Sequence, residues 1–184
     1  MDRLTQSIVL CGFMASGKTA TAKAIGGIIH SDFVDLDVKI EVDEGKSIPK
    51  IFRDHGEDYF RRIERRLVIE TVNKKTKIIS LGGGALQNQE LLDVIKAQSI
   101  LIFIRPDFEI LFRRLINNKK RPLIAREWAK SRNPEIVKKR VKNVYLNRLS
   151  LYEQAHITQT VESNWSPYQV AIKILDQVSQ FHSS

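Results

Sequence analysis

Cysteine is almost absent from this sequence, since Cys11 is the only one among 184 residues. An intramolecular disulfide is therefore excluded, and such cysteine usage is typical of a reducing compartment. The chain also lacks a run of about twenty apolar residues of the kind that spans a membrane. Residues 1–6 lead into a strand-like segment without the apolar core of a signal peptide. These absences predict a cytoplasmic protein with no membrane association.

The chain shows neither a repeat of fixed period nor a low-complexity linker. With 42% hydrophobic residues, 184 residues are enough for one well-buried core and few for two independent ones. We therefore expect a single compact domain over residues 1–184, and we expect that domain to be a monomer.

The formal charge of +9 suggests a nucleic-acid-binding hypothesis, because a basic excess attracts polyanions. The basic residues are, however, interleaved with acidic ones and separated by apolar helix positions, and no regular aromatic series accompanies them. We therefore interpret most of them as solvated helix faces and predict no nucleic-acid partner. A few arginines are left to bind an anionic small molecule.

Short apolar runs alternate with helical segments along the chain. Continuous apolar strands in such an alternation are typical of a mainly parallel sheet with helices on both faces. We therefore predict an α/β fold of three layers whose ligands bind outside the carboxyl ends of the strands. The five strands are predicted at residues 7–11, 32–37, 77–81, 99–104 and 156–160. Helices are predicted at residues 18–28, 57–73, 89–96, 108–116 and 134–150 and at the C-terminus, and the charged stretch up to Gly45 together with residues 48–55 is predicted as helix broken by glycine and proline.

The first predicted strand leads into the pattern G-x-x-x-x-G-K-[ST] at residues 12–19. Between a strand and a helix, this pattern is typical of a P-loop, whose backbone N–H groups and helix N-terminus hold nucleotide phosphates. Lys18 would reach the β- and γ-phosphates, and the Thr19 hydroxyl would hold Mg²⁺. The nucleotide-binding residues predicted in and beside the loop are Gly12, Ala15, Ser16, Gly17, Lys18, Thr19 and Ala20.

Asp35 and Asp37 stand two residues apart near the end of the second predicted strand, so we expect both carboxylates on one strand face. One would bind Mg²⁺ directly or through water, and the other would accept a hydrogen bond from an alcohol attacking phosphorus. A turn or helix N-cap role is the alternative for such a pair. The glycine triplet at residues 82–84 would bring exposed N–H groups to the same edge of the sheet.

Six motifs resemble those of the shikimate kinases, in matching order and spacing, over nearly the whole chain. The P-loop and the aspartate pair are two of them. The others are G-E-x-x-F-R-x-x-E at residues 56–64, the triplet at 82–84, R-P-L at 121–123 and an R-x-P-x-Y motif at 148–152, in which Ser150 replaces proline. The resemblance implies a P-loop kinase fold that phosphorylates the 3-hydroxyl of shikimate, with ATP as co-substrate and Mg²⁺ as cofactor.

The resemblance also implies roles for individual residues of a substrate-binding segment at about residues 33–64 and of later motifs. Asp37 would bind the shikimate hydroxyls and orient or deprotonate the attacking one. Arg61 and Arg148 would grip the shikimate carboxylate, which suits the forked guanidinium group, and Glu64 would hold Arg61. The substrate-binding residues implied in this way are Asp37, Arg61, Gly82, Gly83 and Arg148.

A lid is implied at about residues 114–133. Arg121 would swing over the nucleotide to neutralise charge on the transferring phosphoryl group, and Arg114 would lie beside the adenine. A closed lid excludes water, which would otherwise hydrolyse the nucleotide. The polar residues 117–133 predict a mobile surface loop. The implied catalytic residues are Lys18, Asp37 and Arg121, and the implied metal ligands are Thr19 and Asp35.

Two other functions stay open at this point. A related P-loop kinase such as a gluconate kinase would share the phosphate-binding loop and the lid but would need a different polyol pocket. A nucleotide switch or a nucleic-acid-associated P-loop protein would have no use for two arginines that grip a carboxylate. Arg61 and the glycine triplet favour shikimate over gluconate.

Overall fold

A computed structural model describes residues 6–74, 76–117 and 122–181. Within those ranges the chain forms five strands and eight helices. The strands are β1 (Ser7–Cys11), β2 (Phe33–Asp35), β3 (Ile78–Ser80), β4 (Ser99–Pro106) and β5 (Ile157–Val161). The helices are α1 (Lys18–Ile29), α2 (Leu36–Glu44), α3 (Ile48–Asn73), α4 (Gln89–Gln98), α5 (Phe108–Ile116), α6 (Pro122–Lys130), α7 (Pro134–Tyr152) and α8 (Pro167–Phe181).

The five strands form one parallel sheet in the spatial order β2-β3-β1-β4-β5. The central strand β1 pairs on both sides, since Ile8 lies opposite Ile78 of β3 and Ile100 of β4. Parallel strands need long crossover connections, and helices supply them here. The predicted α/β fold with a parallel five-stranded sheet is therefore confirmed.

Side chains of β1 alternate between two apolar cores, one on each face of the sheet. Ile8 and Leu10 point into the core that α1 and α8 cover. Val9 and Cys11 point into the larger core, which includes residues of α2 to α7. All four are almost completely buried. Burial on both faces explains why β1 reads as an apolar run without alternation, and it makes the fold three layers thick.

The sheet order decides which loops meet at the carboxyl edge. The loop after β1 is in the middle, the segments after β2 and β3 lie on one side of it, and those after β4 and β5 lie on the other. Open parallel sheets bind ligands at this edge. The sheet therefore places the P-loop between two flanks, one formed by residues 36–37 and 81–84 and the other by residues 107–114 and 162–167.

The expectation that Asp35 and Asp37 share a strand face is wrong. β2 ends at Asp35, and Asp37 lies in the first turn of α2. The Asp35 carboxylate accepts hydrogen bonds from the backbone N–H groups of Asp37 at 3.0 Å and Val38 at 3.3 Å. An aspartate that satisfies these two donors favours a helix start over a continued strand. Asp35 is therefore the N-cap of α2.

The surface loop expected at residues 117–133 is also wrong in its described part, because residues 122–130 form α6. Ile124 and Glu127 are buried, and α6 packs on α7. The Glu127 carboxylate lies 3.1 Å from Arg126, 3.4 Å from Lys130 and 3.7 Å from Arg140 of α7. A polar sequence thus forms a helix because its few apolar positions share one face. Arg121 lies outside the described residues.

The break expected near residue 56 is present as a kink in α3 at Gly56, whose φ is 82° and ψ 175°. This left-handed region favours glycine over residues with a side chain. Across the described ranges, no helix has the length and apolar character that crossing a membrane would require.

Candidate active site

The loop after β1 bends sharply to enter α1. Gly12 has a φ of 136°, and a Cβ on it would lie only 2.7 Å from the Ile104 carbonyl oxygen of β4. Gly17 has a φ of 102°, and Ala15, a residue with a side chain, also has a positive φ of 65°. Glycine at residue 12 is thus required by the neighbouring strand as well as by the bend.

The N-terminus of α1 is left open toward a ligand. Gly17 is its N-cap residue, and in the described structure no side chain caps the helix and no acidic residue stands in its first turn. The first N–H groups of a helix carry a partial positive charge and need an acceptor. An anion such as a phosphate group fits this position.

The Lys18 ammonium lies over the loop from which it arises. It donates to the carbonyl oxygens of Gly12 and Phe13, both at 2.9 Å, and approaches the Ser16 hydroxyl at 3.4 Å. Lys18 is 7% exposed and Ser16 is 2% exposed. The loop therefore holds a largely buried positive charge where the phosphates of a nucleotide would bind.

Hydroxyl and carboxylate oxygens from three elements meet beside Lys18. The Thr19 hydroxyl donates to the Asp35 carboxylate at 2.5 Å and lies 3.5 Å from the Ser80 hydroxyl. Among the described residues no group of three or more His, Cys, Asp or Glu side chains could hold a metal. One carboxylate with nearby hydroxyls fits Mg²⁺, which typically keeps waters and phosphate oxygens as its other ligands. The residues present therefore fit this ion.

Asp37 lines the cavity that the P-loop forms. Burial raises the pKa of its carboxyl group to about 6, with a further contribution from the Asp35 carboxylate, while the Lys18 ammonium acts in the opposite direction. A carboxylate in such surroundings is a stronger proton acceptor than an exposed aspartate and is still largely ionised at neutral pH. This environment suits contact with a reacting hydroxyl group.

Gly82 allows two carboxylates to come close to the loop after β3. A Cβ on Gly82 would lie 2.6 Å from an oxygen of Asp37 and 2.9 Å from an oxygen of Glu64. On Gly83, a Cβ would lie 2.8 Å from the backbone nitrogen of Met14 in the P-loop. The triplet therefore lets the acidic groups and the phosphate-binding loop approach the same stretch of backbone.

Two arginines from different helices converge on the glycine triplet. A Cβ on Gly84 would lie 3.1 Å from both terminal nitrogens of Arg61 and 3.3 Å from a terminal nitrogen of Arg148. Arg61 donates to the Gly84 carbonyl at 3.2 Å, and Arg148 donates to the Gly83 carbonyl at 2.7 Å. Like charges at such separation repel each other, so their convergence favours a bound anion between or beside them.

Two glutamates hold Arg61, and a tyrosine binds the same backbone carbonyl as Arg148. Glu64, 2% exposed, accepts from Arg61 at 2.6 Å, and the exposed Glu57 accepts from Arg61 at 3.2 Å. The Tyr152 hydroxyl donates to the Gly83 carbonyl at 2.8 Å, alongside Arg148. The triplet is thus a fixed backbone turn with its carbonyl groups bound, rather than a flexible loop.

The cavity above the sheet edge has a volume of about 540 Å³. Asp37 and Gly83 line it on the β2 and β3 flank, and Arg114, Trp165 and Pro167 line it on the β4 and β5 flank. Arg114 donates to the Ala15 carbonyl at 3.3 Å. The P-loop residues Ala15, Ser16, Gly17, Lys18, Thr19 and Ala20 also line it. One cavity therefore connects an arginine and an aromatic side chain to a carboxylate across a phosphate-binding loop.

Sequence reasoning did not identify Trp165 or Ser80 as site residues. Ser80 ends β3 two residues before Gly82, so its position at the carboxyl edge was a usable signal. Trp165 stands in the short connection between β5 and α8, and no local pattern indicates that this connection reaches the P-loop. Arg121 cannot be placed, because it lies outside the described residues.

Comparison with known proteins gives matches over nearly the whole chain. The shikimate kinase family model matches residues 14–179. A shikimate kinase of Persephonella marina is 33% identical over 173 residues, which span 94% of this chain and 99% of that protein. The structure of an Acinetobacter baumannii shikimate kinase in complex with shikimate aligns with a TM-score of 0.83 at 28% identity, covering 97% of this chain and 95% of that one.

A gluconokinase from Sinorhizobium meliloti is more distant. Its structure aligns with a TM-score of 0.61 at 15% identity, covering 98% of this chain and 95% of that one. A likeness at this identity shows a shared fold and nothing about the substrate.

Proposed function

Since the chain belongs to the shikimate kinase family, we propose that it transfers the γ-phosphoryl group of ATP to the 3-hydroxyl of shikimate. The products are ADP and shikimate 3-phosphate, on the route to chorismate and the aromatic amino acids. The family resemblance seen in the sequence is thus confirmed, and the chain is a small-molecule kinase.

The convergence of Arg61 and Arg148 on the glycine triplet, which the Asp37 carboxylate also approaches, is the single observation that carries this proposal. An acceptor that satisfies these groups needs a carboxylate for the two guanidinium groups and a hydroxyl for the aspartate. Shikimate has both, on one rigid ring. Two arginines hold a planar carboxylate in one orientation, so the hydroxyl that reaches Asp37 is selected by the geometry of the ring.

The donor half of the site consists of the P-loop and the start of α1. Its open helix N-terminus and the Lys18 ammonium bind the phosphates of ATP and stabilise negative charge that develops during transfer. Thr19 and Asp35 would hold Mg²⁺, which when bound offsets charge on the β- and γ-phosphates.

Asp37 acts on the acceptor. Its carboxylate accepts a hydrogen bond from the 3-hydroxyl and takes up the proton as the oxygen bonds to phosphorus. The raised pKa of Asp37, to about 6, makes it a suitable acceptor for that proton. Transition states of phosphoryl transfer demand little of a base, so holding the hydroxyl in line is the larger part of this role.

Residues 114–133 form the lid in this proposal, and Arg121 is its charge-neutralising residue. The contacts of Glu127 with Arg140 of α7 support a lid whose C-terminal part is anchored to the body of the protein. We further propose that the enzyme works as a monomer in the cytoplasm, as one domain with an acceptor-binding segment at residues 33–64.

Trp165 lies on the flank where the base of ATP would bind, which leads to a fluorescence prediction. Stacking of a base on an indole changes the emission of the indole. The chain has two tryptophans, so the Trp128→Phe variant emits from Trp165 alone. Added ADP is expected to quench this emission saturably. Emission that stays constant up to saturating ADP would contradict the assignment of this flank to the base.

An assay of ADP release, coupled to pyruvate kinase and lactate dehydrogenase, tests the proposed function. The purified chain with ATP and Mg²⁺ is expected to release ADP rapidly with shikimate, and only at a background rate with gluconate or without an acceptor. Release that requires gluconate would support the related sugar-acid kinase instead. Equal release with and without an acceptor would indicate an ATPase.

A further inference from the structure

The buried carboxylate of Glu64 accepts two hydrogen bonds at the same oxygen. One comes from a terminal nitrogen of Arg61 at 2.6 Å, and the other comes from the side-chain amide of Gln87 at 2.9 Å. Glu64 is 2% exposed, whereas Gln87 lies at the surface. Gln87 thus reaches from the surface to a buried charge, and neither the motifs nor the proposed mechanism gives it a role.

The surroundings of Glu64 explain why a second donor matters. Its other oxygen faces Gly82 and therefore lies near the Asp37 carboxylate. Glu64 approaches Gly82 from α3, and Asp37 approaches it from α2. A buried carboxylate near another carboxylate is unfavourable unless donors hold it. With Arg61 as its single donor, Glu64 would be free to turn about that one bond, and its contact with Arg61 would be less well fixed.

The loop that carries Gln87 also holds Arg61 directly. Gly84 accepts from Arg61 at 3.2 Å through its carbonyl, and Gln87 stands three residues later in the same connection between β3 and α4. Arg61 therefore has one contact to the backbone of this loop and a second, through Glu64, to a side chain of the loop. Glu57 also accepts from Arg61, at 3.2 Å, but its side chain is exposed, so Glu64 is the buried carboxylate that fixes the plane of the guanidinium group.

We infer that Gln87 is a positioning residue for the subsite that binds the acceptor's carboxylate. Its amide fixes Glu64, and Glu64 in turn fixes the plane in which Arg61 presents its donors to a planar anion. The inference rests on the proposed function, because it requires a carboxylate-bearing acceptor at Arg61. Gln87 itself contacts neither the reacting hydroxyl nor the nucleotide in this assignment.

The test compares Gln87→Met, which keeps the length of the side chain and removes the donor, with a matched control, Gln89→Met. Gln89 is exposed and bonds to Asp93 and Gln154. For Gln87→Met, the KM and the calorimetric Kd for shikimate are expected to rise about fivefold, the effect of a weakened charged hydrogen bond. The KM for ATP and the kcat at saturating shikimate are expected to stay within twofold.

A double-mutant cycle with Glu64→Met, which keeps the length of the side chain and removes the acceptor, separates this role from a general loosening of the loop. If Gln87 acts through Glu64, Gln87→Met in the Glu64→Met background should not weaken shikimate binding further. Full additivity of the two effects, or an unchanged shikimate KM in Gln87→Met, would overturn the inference. Failure of the wild-type protein to phosphorylate shikimate would instead overturn the proposed function, so the two failures are distinct.

Discussion

Asp37→Asn is expected to lower kcat with shikimate by about 10³-fold, the range typical of a lost acid–base group. The amide keeps the size of the side chain, but it can neither take up a proton nor offer a negative charge to the 3-hydroxyl. The KM for ATP is expected to change little, since the phosphates are held by the P-loop on the other side of the reacting bond. Steady-state kinetics with each substrate varied in turn gives both values.

Asp43→Asn is the matched control for this substitution. Asp43 lies on the same helix, α2, and forms a surface ion pair with Lys39 at 3.2 Å. Surface pairs of this kind contribute little to stability, so the control should keep the activity of the wild type. Asp37→Asn and the wild type turning over at the same rate would remove the catalytic role of Asp37.

Lys18→Met is expected to lower kcat by about 10²- to 10³-fold and, in contrast to Asp37→Asn, to weaken ATP binding as well. The ammonium is the largely buried positive charge of the P-loop, and methionine has a similar length without charge or donors. The loss should be seen in kcat, in the KM for ATP and in the Kd for ADP measured by calorimetry. Shikimate binding in the absence of nucleotide should change little.

Lys23→Met controls for the loss of a lysine from the same helix, because Lys23 is exposed one turn further along α1. It should leave all constants near those of the wild type. If Lys18→Met retained wild-type affinity for ADP and wild-type kcat, the P-loop would not be the donor site. Lys18→Met thus tests the donor half of the site, and Asp37→Asn tests the acceptor half.

The donor half could be predicted from the sequence because its geometry is local. The bend from β1 into α1 requires glycine at residues 12 and 17, and the lysine and threonine that follow are fixed by the start of the helix. Eight consecutive residues therefore specify the loop with little help from the rest of the fold.

The secondary structure at Asp37 was predicted wrongly because two local tendencies compete at Asp35. The alternation of apolar residues favours a strand through residue 37, whereas a carboxylate that accepts two backbone N–H bonds favours a helix start. The cap prevails, and α2 still brings Asp37 to the carboxyl edge of the sheet. The location of the side chain was thus correct and the reason for it was not.

Trp165 and Gln87 could not be found from local patterns, because their roles depend on which segments the sheet order brings together. Trp165 reaches the cavity since β5 pairs with β4 beside the P-loop strand. Gln87 matters only because α3 places Glu64 under the loop after β3. In both cases the contact joins residues that are more than twenty positions apart, so tertiary structure decides it.

The central claim is that the phosphoryl group passes from ATP to the 3-hydroxyl of shikimate, and NMR of the reaction product tests it most directly. After incubation of the protein with ATP, Mg²⁺ and shikimate, ³¹P and proton spectra should show ADP and a single new phosphate ester in equal amounts. Coupling between phosphorus and the proton on C3 of the ring should identify that ester as shikimate 3-phosphate. Phosphorylation at another hydroxyl, or inorganic phosphate in place of an ester, would contradict the account.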